Sequence, residues 1–320
     1  MTEGTGERRT KQHGAPASTP PGSPPPGSPP TGVRHERRLV VRGVRKGLRT
    51  ASGEVREILA DVSFEVAPGE LVAVVGPSGA GKTTLLRTIS GLLAPDEGEV
   101  RYGGEAVDDV PAWLSIVFQD YSKSLFPWMR NLDNVALALS GMGRHEREQR
   151  AAGALERVGL GAFARSYPWE LSGGMQQRVA LARALCGEVS VLVMDEPFAS
   201  VDALTRTQLE DEVLRLWGEM GFSAILVTHD VGEAVYMADR VIALSSRPAR
   251  IVGEVAIDLP RPRDHLATRQ DPRFGQLYGE VLALVEGVGR PAAGGAPLPG
   301  PPAAPAVPPA RHRQEEGDLP

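Results

Sequence analysis

Four short apolar runs punctuate the chain, at 71–75, 189–194, 223–227 and 240–244. Each is rich in Val, Leu or Ile and stops at a small or polar residue. Runs of this kind predict strands buried on both faces, because a half-exposed strand would alternate apolar with polar positions. The stretches 82–92, 205–220 and 232–238 have helical character, and the first of them ends near Gly91 and Pro95. Strands alternating with helices predict an α/β fold with a largely parallel sheet. Ahead of them, 39–41 and 58–66 read as short strands before a turn at Pro68-Gly69, which predicts an N-terminal antiparallel β region. From about 125 to 187 the alternation stops. This part is rich in Leu, Ala, Arg and Glu and predicts a helical insertion subdomain. No internal repeat is visible.

Composition trims the folding unit. Residues 16–30 and 291–310 are built almost wholly from Pro, Gly, Ala, Ser and Thr. Such segments bury too little apolar surface to offset chain entropy, so both ends are expected to be disordered. The expected organisation is a tail over 1–37, a folded domain over 38–262, a helical extension over 263–290 and a second tail over 291–320. The formal net charge of −5 argues against a nucleic-acid partner. Cys186 is the only cysteine, which excludes an intramolecular disulfide framework, and its apolar neighbours predict a buried side chain. No apolar run approaches the ~18 residues of a membrane span. Arg8-Arg9 is not followed by an apolar segment. The expectation is a cytoplasmic chain, held at a membrane only through a separate membrane subunit.

The chemistry lies at the ends of the apolar runs. Gly76-Pro77-Ser78-Gly79-Ala80-Gly81-Lys82-Thr83 fits the phosphate-binding pattern G-x-x-x-x-G-K-[ST] between a strand and a helix. Its glycines let backbone N–H groups converge on phosphate oxygens, and the helix that follows turns its positive end toward the same anion. Lys82 is expected to reach the β- and γ-phosphates and Thr83 to offer its hydroxyl to Mg²⁺. Asp195 and Glu196 close the run 191–194. Asp195 would hold Mg²⁺, directly or through water, and Glu196 would activate the attacking water as a general base. A second glycine pair, Gly173-Gly174, follows Ser172 at the start of another helical run. It reads either as a second phosphate site or as an ordinary capped helix.

These motifs together resemble the ATP-binding subunits of ABC transporters over roughly 38–262. Leu171-Ser172-Gly173-Gly174-Met175-Gln176-Gln177-Arg178 resembles that family's signature. Gln119 resembles its Q-loop glutamine, Ser200-Val201-Asp202-Ala203 its D-loop, and His229 the switch histidine that contacts the γ-phosphate. The resemblance implies a P-loop NTPase core and Gln119 and His229 as helpers of Glu196, with Gln119 also beside the metal. Thr84 joins the phosphate cradle. It further implies a head-to-tail dimer of two copies, in which Ser172, Gly173, Gly174, Gln176 and Asp202 of one chain cover ATP held by the other.

One position departs from the pattern. Where the family places an adenine-stacking aromatic, this chain has Leu48, and 43–63 contains no Phe, Tyr or Trp. The stretches 124–134 and 244–263 are similar to importers of the nitrate, sulfonate and taurine class. That similarity implies integral permease subunits as partners and, indirectly, a periplasmic or lipid-anchored solute-binding protein. Another importer class, an exporter or a soluble ABC protein stay open as alternatives. So do two roles for the aromatics Tyr121, Phe126 and Trp128: a surface for the permease, or packing inside the helical insertion.

Overall fold

The computed structural model describes Met1 and residues 37–120 and 124–287. The Pro-rich stretches at both ends and Tyr121 lie outside the described residues. Two sheets carry the fold. Strands β1 (Leu39–Arg49), β2 (Val55–Val66), β4 (Glu97–Tyr102) and β5 (Glu105–Ala106) form an antiparallel sheet in the order β2-β1-β4-β5. A six-stranded sheet runs β10-β9-β3-β8-β7-β6, from β3 (Leu71–Val75), β6 (Leu114–Val117), β7 (Val191–Asp195), β8 (Ser223–Thr228), β9 (Arg240–Leu244) and β10 (Ile251–Ala256). All its pairings are parallel except that of the edge strand β10 with β9.

The apolar runs bury both faces, as their composition requires. Along β3, Leu71, Ala73 and Val75 enter the core shared with the helical layer, while Val72 and Val74 enter a second core facing the antiparallel sheet. Helix α1 (Lys82–Ile89) contributes Leu85, Leu86 and Ile89 to that second core. The P-loop helix is therefore wedged between the sheets and fixed along its length. The first N-terminal strand is longer than the sequence suggested. β1 continues to Arg49 because β2 pairs with it to the end, across register shifts that let the two strands coil together.

The insertion is helical, as expected. It comprises α2 (Asn131–Ala136), α3 (Arg144–Arg157), single 3₁₀ turns at Gly161–Phe163 and Pro168–Glu170, and α4 (Gly173–Leu185). Cys186 is buried at the end of α4; its Sγ–H faces the carbonyls of Arg183 (3.2 Å) and Val135 (3.4 Å), and burial pushes its thiol up to about 11. It is inert packing, as its neighbours predicted. Beyond the insertion, α5 (Ala203–Met220) and α6 (Val231–Met237) are capped at their N-termini by Asp202 and Asp230. The C-terminal extension folds into α7 (His265–Gln270) and α8 (Pro272–Glu286). Arg263 donates to the carbonyls of Tyr236 and Ala238, satisfying the otherwise open end of α6. His265 meets the buried carboxylate of Glu210 on α5 at 2.8 Å. The extension thus locks the helix that follows His229. Among the described residues no helix is long and apolar enough to cross a membrane.

Candidate nucleotide-binding and hydrolysis site

The site forms where β3, β7 and β8 end side by side. Their parallel register puts Val75 beside Thr228, and Asp195 beside Val227. The P-loop, the acidic pair and His229 therefore leave the same edge of one sheet. This is the edge at which parallel α/β sheets bind ligands.

The P-loop takes the shape its glycines allow. Gly79 and Gly81 lie at φ +75° and +106°, in the left-handed region where a side chain is strained. A Cβ on Gly81 would also sit 2.8 Å from the Ile58 side chain. Lys82, 6% exposed, curls back so that its ammonium donates to the carbonyls of Gly76 (2.9 Å) and Pro77 (3.2 Å). Burial holds its pKa below the ordinary lysine value, against the pull of Glu196 and Asp195. Thr83 Oγ1 donates to Asp195 Oδ1 at 3.4 Å. Burial raises the Asp195 pKa, with the Glu196 carboxylate adding to the rise and the Thr83 hydroxyl, Arg87 and Lys82 opposing it.

Glu196 is the hub. Its Oε2 accepts from Gln119 Nε2 and lies next to His229 Nδ1, each at 3.2 Å, and its Oε1 stands 3.8 Å from Lys82 Nζ. Its backbone adopts φ +44°, rare for a residue with a side chain, and its N–H donates to the Val227 carbonyl at 2.7 Å. Strain of this kind persists where the surrounding structure over-determines it, and functional sites are where it concentrates. Gln119 thus reaches the carboxylate of Glu196 rather than the Thr83–Asp195 pair.

The remaining sequence-derived residues fall in two places. Leu48, at the outer end of β1, is 38% exposed. Ser172 caps α4, accepting from the Met175 N–H at 3.4 Å, and Ser172 and Gly173 face solvent. Gln176 Nε2 reaches back to the Leu171 carbonyl at 3.2 Å. Asp202 accepts from the N–H groups of Leu204 and Thr205, which holds its carboxyl below the usual range. The capped-helix reading of Ser172 is therefore met within one chain. That does not conflict with a phosphate role toward a second chain, since Ser172 and Gly173 stay exposed. Gly174 has a further reason to be glycine: a Cβ there would lie 2.4 Å from Thr205 Cγ2, so α4 and α5 could not approach as they do.

Two residues that sequence reasoning left unassigned support the site. Gln177, buried on α4, donates to the carbonyl of Pro197, next to Glu196, and so ties the signature helix to the hub. Asn134, fully buried, accepts from Phe126 N–H (2.7 Å) and donates to the carbonyls of Phe126, Met129 and Arg130 at 3.0 to 3.2 Å. It holds the loop after the Gln119 segment, so that Phe126 (40% exposed) and Trp128 (70% exposed) stand out as a tilted aromatic pair with centroids 5.3 Å apart. This corrects the packing alternative for Trp128: with the loop closed on Asn134, the indole faces outward, 70% exposed.

A P-loop, a strand-end Asp-Glu pair with a glutamine and a histidine on the same carboxylate, and a capped glycine pair on a helical insertion define a P-loop ATPase of the ATP-binding-cassette kind. The family model described as "ABC transporter" matches residues 59–199. Similar curated proteins include the taurine import ATP-binding protein TauB of Chromobacterium violaceum, 43% identical over 73% of this chain and 91% of that protein. The aliphatic sulfonates import ATP-binding protein SsuB 2 of Burkholderia lata is 45% identical over 71% of this chain and 80% of its own length. The nitrate transport protein NasD of Klebsiella oxytoca is 40% identical over 76% of this chain and 94% of its own. Among solved structures, a dimer of the bacterial ABC transporter cassette MJ0796 superposes with a TM-score of 0.61 at 31% identity, covering 68% of this chain and 98% of that one. The chain belongs to the ABC transporter ATP-binding family.

Proposed function

We propose that this chain is the ATP-hydrolysing subunit of an importer for nitrate, taurine or aliphatic sulfonates. The observation that carries the ATPase reading is the Glu196 carboxylate, held at once by Gln119, His229 and Lys82 at the end of the strand beside the P-loop. The importer class rests on the relatives named above.

The donor set suits Mg²⁺. One hydroxyl and one carboxylate, Thr83 and Asp195, lie within 3.4 Å, and among the described residues no cluster of three or more His, Cys, Asp or Glu side chains could cage a metal alone. Mg²⁺ is commonly held this way, by one or two protein oxygens together with substrate phosphates. Held there by Thr83 and Asp195, it would offset the charge of the phosphates. The glycine-rich loop and the start of α1 orient the phosphates, and the Lys82 ammonium leaves the backbone carbonyls to meet them. Glu196 takes the proton of the attacking water. Gln119 and His229 fix the carboxylate's direction. Two copies of the chain then close head to tail, with the exposed Ser172–Gly173 turn of each over the nucleotide of the other.

Leu48 serves as an aliphatic platform for the base. Stacking on an aromatic contributes about 1–3 kcal/mol, and leucine supplies part of it. Leu48→Tyr is expected to lower the KM for ATP several-fold and to sharpen discrimination between ATP and GTP. Steady-state kinetics with both nucleotides check this; unchanged constants would place the base elsewhere.

The Phe126–Trp128 pair docks a cytoplasmic helix of the permease. Exposed aromatics near a loop that touches the catalytic carboxylate suit a coupling surface. Phe126→Asp leaves the Asn134 bonds intact, because those run to the backbone of residue 126. The isolated variant is expected to keep its basal ATPase, whereas permease association and solute-stimulated ATPase fall. Reconstitution with permease and solute-binding protein, assayed with nitrate, taurine and alkanesulfonates, tests both the surface and the class. Normal coupling in the variant rejects the surface. Transport that needs no binding protein and runs outward rejects the importer.

A further inference from the structure

The loop between β9 and β10 carries a side chain that no motif explains. Arg247 donates from Nε (3.1 Å) and from Nη2 (2.8 Å) to the carbonyl oxygen of Gly79, 168 positions away in the P-loop. The base of this loop is anchored. Ala249 is fully buried, its N–H donates to the Ile58 carbonyl at 2.7 Å, and its carbonyl accepts from Ala60 N–H at 2.9 Å. The Ser245 hydroxyl accepts from Arg250 N–H at 3.0 Å and lies within donating reach of the Ser246 (2.9 Å) and Pro248 (3.1 Å) carbonyls. The guanidinium therefore projects from a fixed support built on β2, the strand that also packs behind Gly81.

Its target is the pliable part of the cradle. Gly79 sits at φ +75° and has no side chain to hold it. The peptide that follows has its other end tied, because Ala80 N–H donates to the Pro77 carbonyl at 3.1 Å, the same oxygen that takes Lys82 Nζ at 3.2 Å. A trans peptide directs its carbonyl and its N–H to opposite sides. One peptide plane is thus held at both ends, by Pro77 on one side and by Arg247 on the other. A flip of this plane, which glycine permits, would break the Pro77 turn and turn a carbonyl oxygen toward the side of the loop that must accept an anion.

We propose that Arg247 is a positioning residue for the phosphate loop: by clamping the Gly79 carbonyl outward it keeps the cradle in its phosphate-accepting shape before nucleotide arrives. The proposal rests on the reading of 76–84 as the ATP site. Pre-organisation of this kind lowers the cost of binding. It does not touch hydrolysis, since the hydrogen bonds of Arg247 run to Gly79 and not to Glu196, Asp195 or His229.

The test uses the full chain with Arg247→Ala and Arg247→Lys. Binding of ATP and ADP is titrated without turnover, and melting temperatures are taken with and without nucleotide. Losing the clamp on an exposed carbonyl is expected to raise Kd and KM about five- to tenfold. The rate at saturating ATP should stay near wild type, and so should the melting temperature of the nucleotide-free protein. The rise in melting temperature caused by ATP should shrink. Lysine, with one donor reaching the carbonyl, should recover part of the affinity. Undiminished binding by Arg247→Ala overturns the proposal. So does weaker binding accompanied by a lower nucleotide-free melting temperature and no recovery with lysine, because the arginine would then only stabilise its loop. Failure of the site itself looks different: Lys82→Ala would bind ATP as well as wild type does.

Discussion

Lys82→Ala is expected to abolish ATP turnover, by at least about a hundredfold, and to weaken nucleotide binding sharply. Preorganised charge aimed at a developing phosphate charge contributes a factor of this order per group removed. Here the ammonium stands 3.8 Å from Glu196 and is almost fully buried. Burial already lowers its pKa, so the site holds a cation that gains from an anionic ligand. The fold should tolerate the change, since Leu85, Leu86 and Ile89 anchor the helix in the second core. Phosphate release and titration with a fluorescent ATP analogue check both effects. Wild-type turnover by the alanine variant rejects the assignment of the P-loop as the catalytic cradle.

Glu196→Gln should separate binding from chemistry. Glutamine keeps the size and the acceptor oxygen that Gln119 uses, but it cannot take a proton at neutral pH. Loss of a general base costs about 10²–10⁴ in rate. ATP binding should persist, because Lys82, Thr83, Asp195 and the loop amides are untouched. With hydrolysis blocked, the ATP-bound form should accumulate as a dimer in size-exclusion chromatography, where wild type returns to monomer. The left-handed backbone at residue 196 and its bond to Val227 are common to both side chains, so the strand end should hold. A Gln variant that hydrolyses ATP at the normal rate would remove Glu196 from its role. One that binds no ATP would mean that the carboxylate is needed to build the pocket.

The sequence by itself determined the parallel core and marked the glycines, lysine and carboxylates at the ends of its strands. Runs such as 71–75 and 191–194 have no polar face to expose, so only a doubly covered sheet accommodates them. The glycines, lysine and carboxylates that follow have few other uses in that order. The insertion was legible for the opposite reason: no β-rich run interrupts it. Strands β4, β6 and β10 were not legible. β6 is only Leu114–Val117, β4 buries just Val100 and Tyr102 among charged residues, and β10 is a half-exposed edge with Gly253 inside it. Their identity comes from partners already in place, which local periodicity does not report. Tertiary structure alone decided which groups meet. Gln119 and His229 stand 110 positions apart and share the Glu196 carboxylate only because β6, β7 and β8 lie adjacent and parallel. Asn134, Gln177 and Arg247 bond to backbone carbonyls, groups every residue carries, so nothing in the sequence marks their targets. Their roles exist only once the chain has brought a particular carbonyl within reach.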